Sequence, residues 1–169
     1  MTGSTLELIA KVGSRAAVLA VGITVVVAGT AYAHVEPTTN GTPKAGAKGV
    51  ITLHIEHGCE DAAGKLYATD RIVTQLPKSF SDVKAPAHTG WMGIVEATRT
   101  GTRVTWTAKG ATLGKHTPGA FTMSVTYPMK AGTYGLPTVQ YCAGRSTAWI
   151  QKSVGGVEPD LPLPTLTVK

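Results

Sequence analysis

The chain is poor in the patterns that mark most enzyme and membrane classes. It has two cysteines in 169 residues. No C-x-x-C and no tight Cys/His cluster occurs, so zinc-type ligand spacing is absent. No H-x-x-x-H is present to place two imidazoles on one helix face. No G-x-S-x-G nucleophile elbow appears. Ser79, Ser81, Asp82 and His88 lie near one another in sequence, but a triad is an arrangement in space and sequence proximity does not make one. The formal net charge is +6, yet Lys and Arg are scattered, with neither a basic run nor a nucleic-acid motif. The balance therefore reads as solubility or loose attraction to an anionic envelope, and nucleic acid is not expected as a partner. No stretch holds helical periodicity over three turns. Beyond residue 33 no apolar run is long enough to span a membrane, and there is no internal repeat or second domain.

What is present begins with a secretory signal. Lys11 and Arg15 form a positive leading region, residues 16–30 form an apolar run, and Ala31 and Ala33 make an A-x-A cleavage site. The alternative is an uncleaved anchor, but the run is short of the ~20 residues that a span needs. Residues 1–33 are thus expected to be removed, and residues 34–169 to form one exported domain, periplasmic or extracellular, with no membrane anchor after cleavage.

Cleavage after Ala33 makes His34 the N-terminal residue. An N-terminal histidine is a ready chelate, because its α-amine and imidazole Nδ1 reach one ion together. Amines of this kind titrate near ~8 and imidazoles near ~6.5, so both yield protons to a competing metal at neutral pH. Two nitrogen donors suit Cu(II), which heads the divalent affinity series and favours tetragonal nitrogen and oxygen sites. The other histidines are His54, His57, His88 and His116, and no spacing gathers them. His54 and Glu56 share the polar face of one expected strand, pointing either at a common ion or at solvent. His57 is expected in a turn, and His88 and His116 on the surface.

The remainder alternates as a β protein. Segments 50–57, 71–76, 103–107, 121–127, 138–142 and 147–151 place apolar residues at every second position. Gly-containing turns separate them. Many short strands with regular turns predict an all-β, antiparallel β-sandwich of the immunoglobulin or cupredoxin kind, as a single domain. Residues 36–47 read as a loop, 155–164 as an extended tail, and 165–168 as a last strand. Trp106 is in phase with Val104 and belongs to the core, and Trp91 caps one end of it. Trp149 falls on a polar phase, which fits either a cover over a metal or packing against another segment. In an exported chain the pair Cys59 and Cys142 reads as a disulfide, the alternative being a thiolate copper ligand.

Several blocks together carry a resemblance. Ala-His-Val follows the signal, and Ile-Glu-His-Gly-Cys at 55–59 stands where relatives often carry Val-Pro-His-Gly-Cys. Gly90-Trp91 precedes Val-Thr-Trp at 104–106. Pro-Thr-Val-Gln-Tyr-Cys at 137–142 leads to Ala-Trp-Ile at 148–150, and an acidic, proline-rich tail ends in Pro-Thr-Leu-Thr-Val at 164–168. In this order the chain resembles the YcnI-like copper-binding proteins. The resemblance implies Cu(II) (Cu2+) bound through His34, with Trp149 adjacent and a carboxylate completing the site. Members without the cysteines often carry that carboxylate at the position of Gly58, so Glu60 or Glu56 would replace it here. Family association implies a chaperone or acceptor role in copper homeostasis or import rather than an enzyme. The partners implied are the copper ion and a membrane copper transporter or other copper-handling protein, with a copper-linked dimer open to an end-on site. The rival readings are a copper oxygenase of the lytic polysaccharide type, which needs a second histidine beside His34, and a structural or adhesion sandwich without metal.

Overall fold

A computed structural model describes residues 34–169, and the expected signal segment lies outside them. Thirteen strands follow in order: Val35–Thr39 (β1), Lys48–Ile55 (β2), Cys59–Glu60 (β3), Leu66–Tyr67 (β4), Arg71–Pro77 (β5), Ser81–Lys84 (β6), Trp91–Thr98 (β7), Gly101–Ala108 (β8), Gly119–Thr126 (β9), Gly132–Gly135 (β10), Thr138–Cys142 (β11), Arg145–Trp149 (β12) and Thr165–Val168 (β13). One sheet runs β1-β2-β9-β6 and a second runs β12-β11-β5-β8-β7. Two ribbons, β10-β13 and β3-β4, complete the described part. Every ladder between named strands is antiparallel. Among the described residues no helix is long and apolar enough to cross a membrane.

The period-two pattern explains the layers. Ile51, Leu53 and Ile55 of β2 point inward beside Phe121, Met123 and Val125 of β9. Ile72 and Leu76 of β5 with Val104 and Trp106 of β8 supply the facing layer. Each such side chain removed from water contributes about 1.5–3 kcal/mol. Trp91 closes one end, edge-on to Phe121 with ring centroids 4.8 Å apart.

Several boundaries differ from the sequence expectation. The loop expected over 36–47 begins only after Thr39, because residues 35–39 pair with β2 from Val35↔Ile55 to Thr39↔Ile51. Pro37 made this stretch read as a loop, but β1 is an edge strand, where a missing N–H is tolerated. Strand β2 ends at Ile55 rather than at 57, since the chain leaves the sheet at Glu56 to cross over. Strand β12 ends at Trp149 rather than at 151. Trp149, at the end of that strand, is buried at 1% exposure.

Candidate metal centre

The site residues depend on which edges of the two sheets adjoin. Strands β6 and β7 lie at one edge of each sheet and are joined by residues 85–90 alone. They pack so closely that a Cβ on Gly93 would lie 2.7 Å from the Ala85 carbonyl oxygen. The opposite edges, β1 and β12, therefore share the other side of the sandwich. His34, half-buried, stands immediately before β1, and Trp149 closes β12. The last pair of the ladder is Val35↔Ile55, so His34 and the exposed Glu56 lie just beyond it, at adjoining strand ends. Topology thus places His34 and Glu56 at adjoining strand ends, while Trp149 is buried at the end of β12 in the other sheet.

The chain from Glu56 to Cys59 crosses between the sheets and is tied down at each step. Cys59 and Cys142 form the expected disulfide, Cα atoms 5.8 Å apart, which removes the thiolate-ligand alternative. Closing a loop with a sequence separation of 83 contributes about 4–5 kcal/mol in the chain-entropy account. The Gln140 side-chain amide, fully buried, donates to the His57 carbonyl at 2.8 Å and to Thr69 Oγ1. The Gly58 N–H donates to the Lys115 carbonyl at 2.9 Å. Gly58 is buried, and a Cβ there would sit 1.8 Å from the Tyr67 carbonyl oxygen. No side chain fits at this position, so the carboxylate that some relatives place there has no room in this chain.

Glu60 goes elsewhere. It pairs with Leu66 across the β3-β4 ribbon, and its Oε1 lies 3.5 Å from where a Cβ of Gly64 would be. That turn has its own acid. Asp61 accepts from the N–H groups of Ala63 and Lys65, each at 3.0 Å, and from the Tyr67 hydroxyl at 2.9 Å. The Lys65 N–H and the Tyr67 hydroxyl hold its carboxyl below the ordinary aspartate value.

The other histidines are dispersed. His54 is exposed and its Nε2 lies 2.8 Å from Thr38 Oγ1 across β1. His57 lies in the crossover, with Nδ1 2.7 Å from the Gly58 carbonyl oxygen, a contact that requires the proton on Nδ1. His88 is exposed and stacks on Trp91 at 6.3 Å. His116 is exposed. Asp82 accepts from the Thr126 hydroxyl at 2.9 Å, so Asp82 and His88 are engaged separately and form no triad. Among the described residues no three His, Cys, Asp or Glu side chains gather closely enough to hold a metal ion. At the start of β1 the available side-chain donors are one imidazole and one carboxylate, and a third donor would have to come from the main chain. The backbone nitrogen of His34 would be such a donor if cleavage after Ala33 freed it as an amine. Sequence reasoning missed Gln140, whose polar side chain sits on the inward phase of β11 and fixes the crossover. A glutamine in phase with buried residues was the available signal.

Comparison with known proteins agrees with this architecture. The chain is similar to an uncharacterized protein from Nocardia farcinica whose crystal structure has an immunoglobulin-like fold. Identity is 27%, the TM-score is 0.67, and the match covers 80% of this chain and 97% of that one. A cohesin module of a family 33 glycoside hydrolase from Clostridium perfringens matches with a TM-score of 0.54 at 13% identity, over 82% of this chain and 96% of the module, a likeness of fold alone. No curated protein matches the chain. The fold is thus an all-β, immunoglobulin-like sandwich. Residues 93–168, from within β7 to the end of β13, match the family model described as a domain of unknown function, DUF1775, the family of YcnI-like proteins.

Proposed function

We propose that this is an exported Cu(II)-binding protein that handles copper outside the cytoplasm through His34. The observation that carries the reading is the position of His34. It follows an A-x-A cleavage site directly and stands at the threshold of β1, beside the strand end that Glu56 follows. Cleavage after Ala33 converts the backbone nitrogen of that residue into an amine, so one residue presents two nitrogen donors. Glu56 is the carboxylate favoured to complete the plane with water, since Glu60 is turned toward the β3-β4 hairpin. Trp149 is assigned as the neighbour of the ion on the strength of the family resemblance. The residues present fit a brace built on one histidine rather than two, because His54 is held by Thr38 and the remaining histidines lie in the crossover or in exposed turns. A disulfide between Cys59 and Cys142 agrees with an oxidising compartment. The physiological role is delivery or sequestration of copper to or from a membrane transporter or other copper-handling protein. It is binding, not catalysis.

The test compares two proteins by calorimetric Cu(II) titration. One is processed to begin at His34. The other carries one alanine inserted between Ala33 and His34, with both N-termini verified by mass spectrometry. The reading expects one tight site in the first and its loss in the second. Equal affinity in both would remove His34 as the site. Binding is also expected to weaken in acid, because protons compete for both nitrogens.

A further inference from the structure

Strands β1 and β2 turn alternate residues into the core and the others outward. Val35 of β1 and Leu53 and Ile55 of β2 are buried. Glu36, Thr38, Thr52 and His54 therefore stand on the outer face, where Glu36, Thr38 and His54 are exposed. The register sets Glu36 directly opposite His54 and Thr38 opposite Thr52. Residues opposite one another in such a ladder have Cβ atoms about 4.5–5.5 Å apart, so a carboxylate and an imidazole placed there reach a common ion. Strand β9 continues the two rows with Ala120 beside His54 and Thr122 beside Thr52. The small side chain of Ala120 leaves the pair open on that side. The chain carries 16 Lys and Arg residues, yet none stands in these two rows to repel a cation.

The imidazole of this pair is already oriented. His54 Nε2 lies 2.8 Å from Thr38 Oγ1 on the neighbouring strand. A hydroxyl can serve as donor or acceptor. With the proton on Nε2, that nitrogen donates to Thr38 and the lone pair sits on Nδ1. Metal-ligating histidines are commonly held in this way, one ring N–H given to a protein oxygen and the other nitrogen given to the ion. In the other tautomer the hydroxyl donates to Nε2, and an ion arriving at Nδ1 displaces the proton there and reverses the contact. The bond to Thr38 thus steadies the ring and leaves Nδ1 for a ligand.

We infer that Glu36 and His54 form a second divalent-cation site on the outer face, one that takes Cu(II) through the Glu36 carboxylate and His54 Nδ1, with water completing the coordination. An imidazole nitrogen with oxygen donors is a set that suits Cu(II). Only two side chains contribute, in keeping with the lack of any three-residue His, Cys, Asp or Glu group among the described residues. The site is therefore weaker than an amine and imidazole on one residue and fills after it. Glu36 follows His34 by two residues, about 7 Å along an extended strand. The pair is thus a place beside His34 where copper is received or passed on. That use rests on the proposed role of His34, whereas the site itself does not.

The test separates the two sites by calorimetric Cu(II) titration of His34→Ala, processed to begin at position 34, with near-ultraviolet circular dichroism to verify the fold. This variant is expected to retain one Cu(II) site. Adding His54→Ala or Glu36→Gln is expected to weaken that site at least about tenfold, and adding Thr38→Val to weaken it by a similar factor, since partners that orient a ligand are worth about 10–100-fold in affinity. In the processed wild type, His54→Ala is expected to remove the second equivalent of copper and to leave the spectrum at one equivalent unchanged. His34→Ala that binds no Cu(II), or double variants that bind as tightly as His34→Ala alone, would overturn the inference. The two readings fail separately. A processed wild type with no tight site but with a weaker one that depends on His54 would support the pair and remove His34.

Discussion

The two sides of the sandwich are built in opposite ways. On the β1/β12 side the crossover from β2 to β3 is fastened. A disulfide joins Cys59 to Cys142, a buried glutamine grips the His57 carbonyl, and Gly58 is pressed against the Tyr67 carbonyl. On the β6/β7 side a regular strand is left with outward backbone groups and exposed apolar side chains. The first side is ordered by covalent and polar constraints and carries the candidate ligands. The second is ordered by its ladder and by the packing of Trp91 on Phe121 and Gly93 on Ala85, and carries none. The constraints concentrate beside the proposed ligands, as a preorganised binding site would require.

That contrast can be broken most severely at the disulfide. The double variant Cys59→Ala/Cys142→Ala is expected to lose about 4 kcal/mol in the chain-entropy account, measured by urea denaturation. Gly58→Ala should follow. Its added Cβ meets a main-chain oxygen rather than a yielding side chain, and overpacking of this kind costs about 1–3 kcal/mol, read from the same denaturation midpoint. Gln140→Leu leaves the His57 carbonyl and Thr69 without their donor and is expected to cost about 1–3 kcal/mol. It should also loosen the crossover, seen as faster amide exchange at residues 57–59.

Two smaller effects sharpen the comparison. Asp61 is held below its ordinary value by hydrogen bonds to its charged form, so it contributes stability that is present above the unfolded carboxyl pKa and lost as pH falls through the depressed folded value. Asp61→Asn should therefore be less stable than wild type at neutral pH, with the gap closing in acid, as followed by thermal melting across that range. On the opposite side, Ile94→Lys should change monomer stability by no more than about 0.5 kcal/mol, as exposed substitutions usually do. A large loss of stability there would mean that β7 is as tightly constrained as the other side.

The sequence made much of the sandwich legible, and the exceptions have physical causes. Strand β11 matches its expected bounds because its apolar and polar residues alternate with both ends marked by turns. Strand β7 was missed because Met92, Ile94 and Val95 break the alternation, as befits an edge exposed on both faces. Strand β1 was hidden in a stretch rich in Gly, Pro, Thr and Lys, and with it went the Val35↔Ile55 pairing that puts His34 and Glu56 at adjoining strand ends. For that reason the choice between Glu56 and Glu60 was not readable in the chain. The disulfide was readable, since two cysteines in an exported chain leave few alternatives. Trp149 was ambiguous because its phase was judged on a strand taken two residues too far.

The central claim is that one residue, His34, supplies two nitrogen donors to copper. Its most direct test is electron paramagnetic resonance of the Cu(II) protein beginning at His34, alongside His54→Ala and the form with one added N-terminal alanine. The account predicts nitrogen hyperfine coupling in the first, the same spectrum in His54→Ala, and loss of that spectrum in the extended form. A spectrum that survives the added alanine, or one that depends on His54, would contradict it.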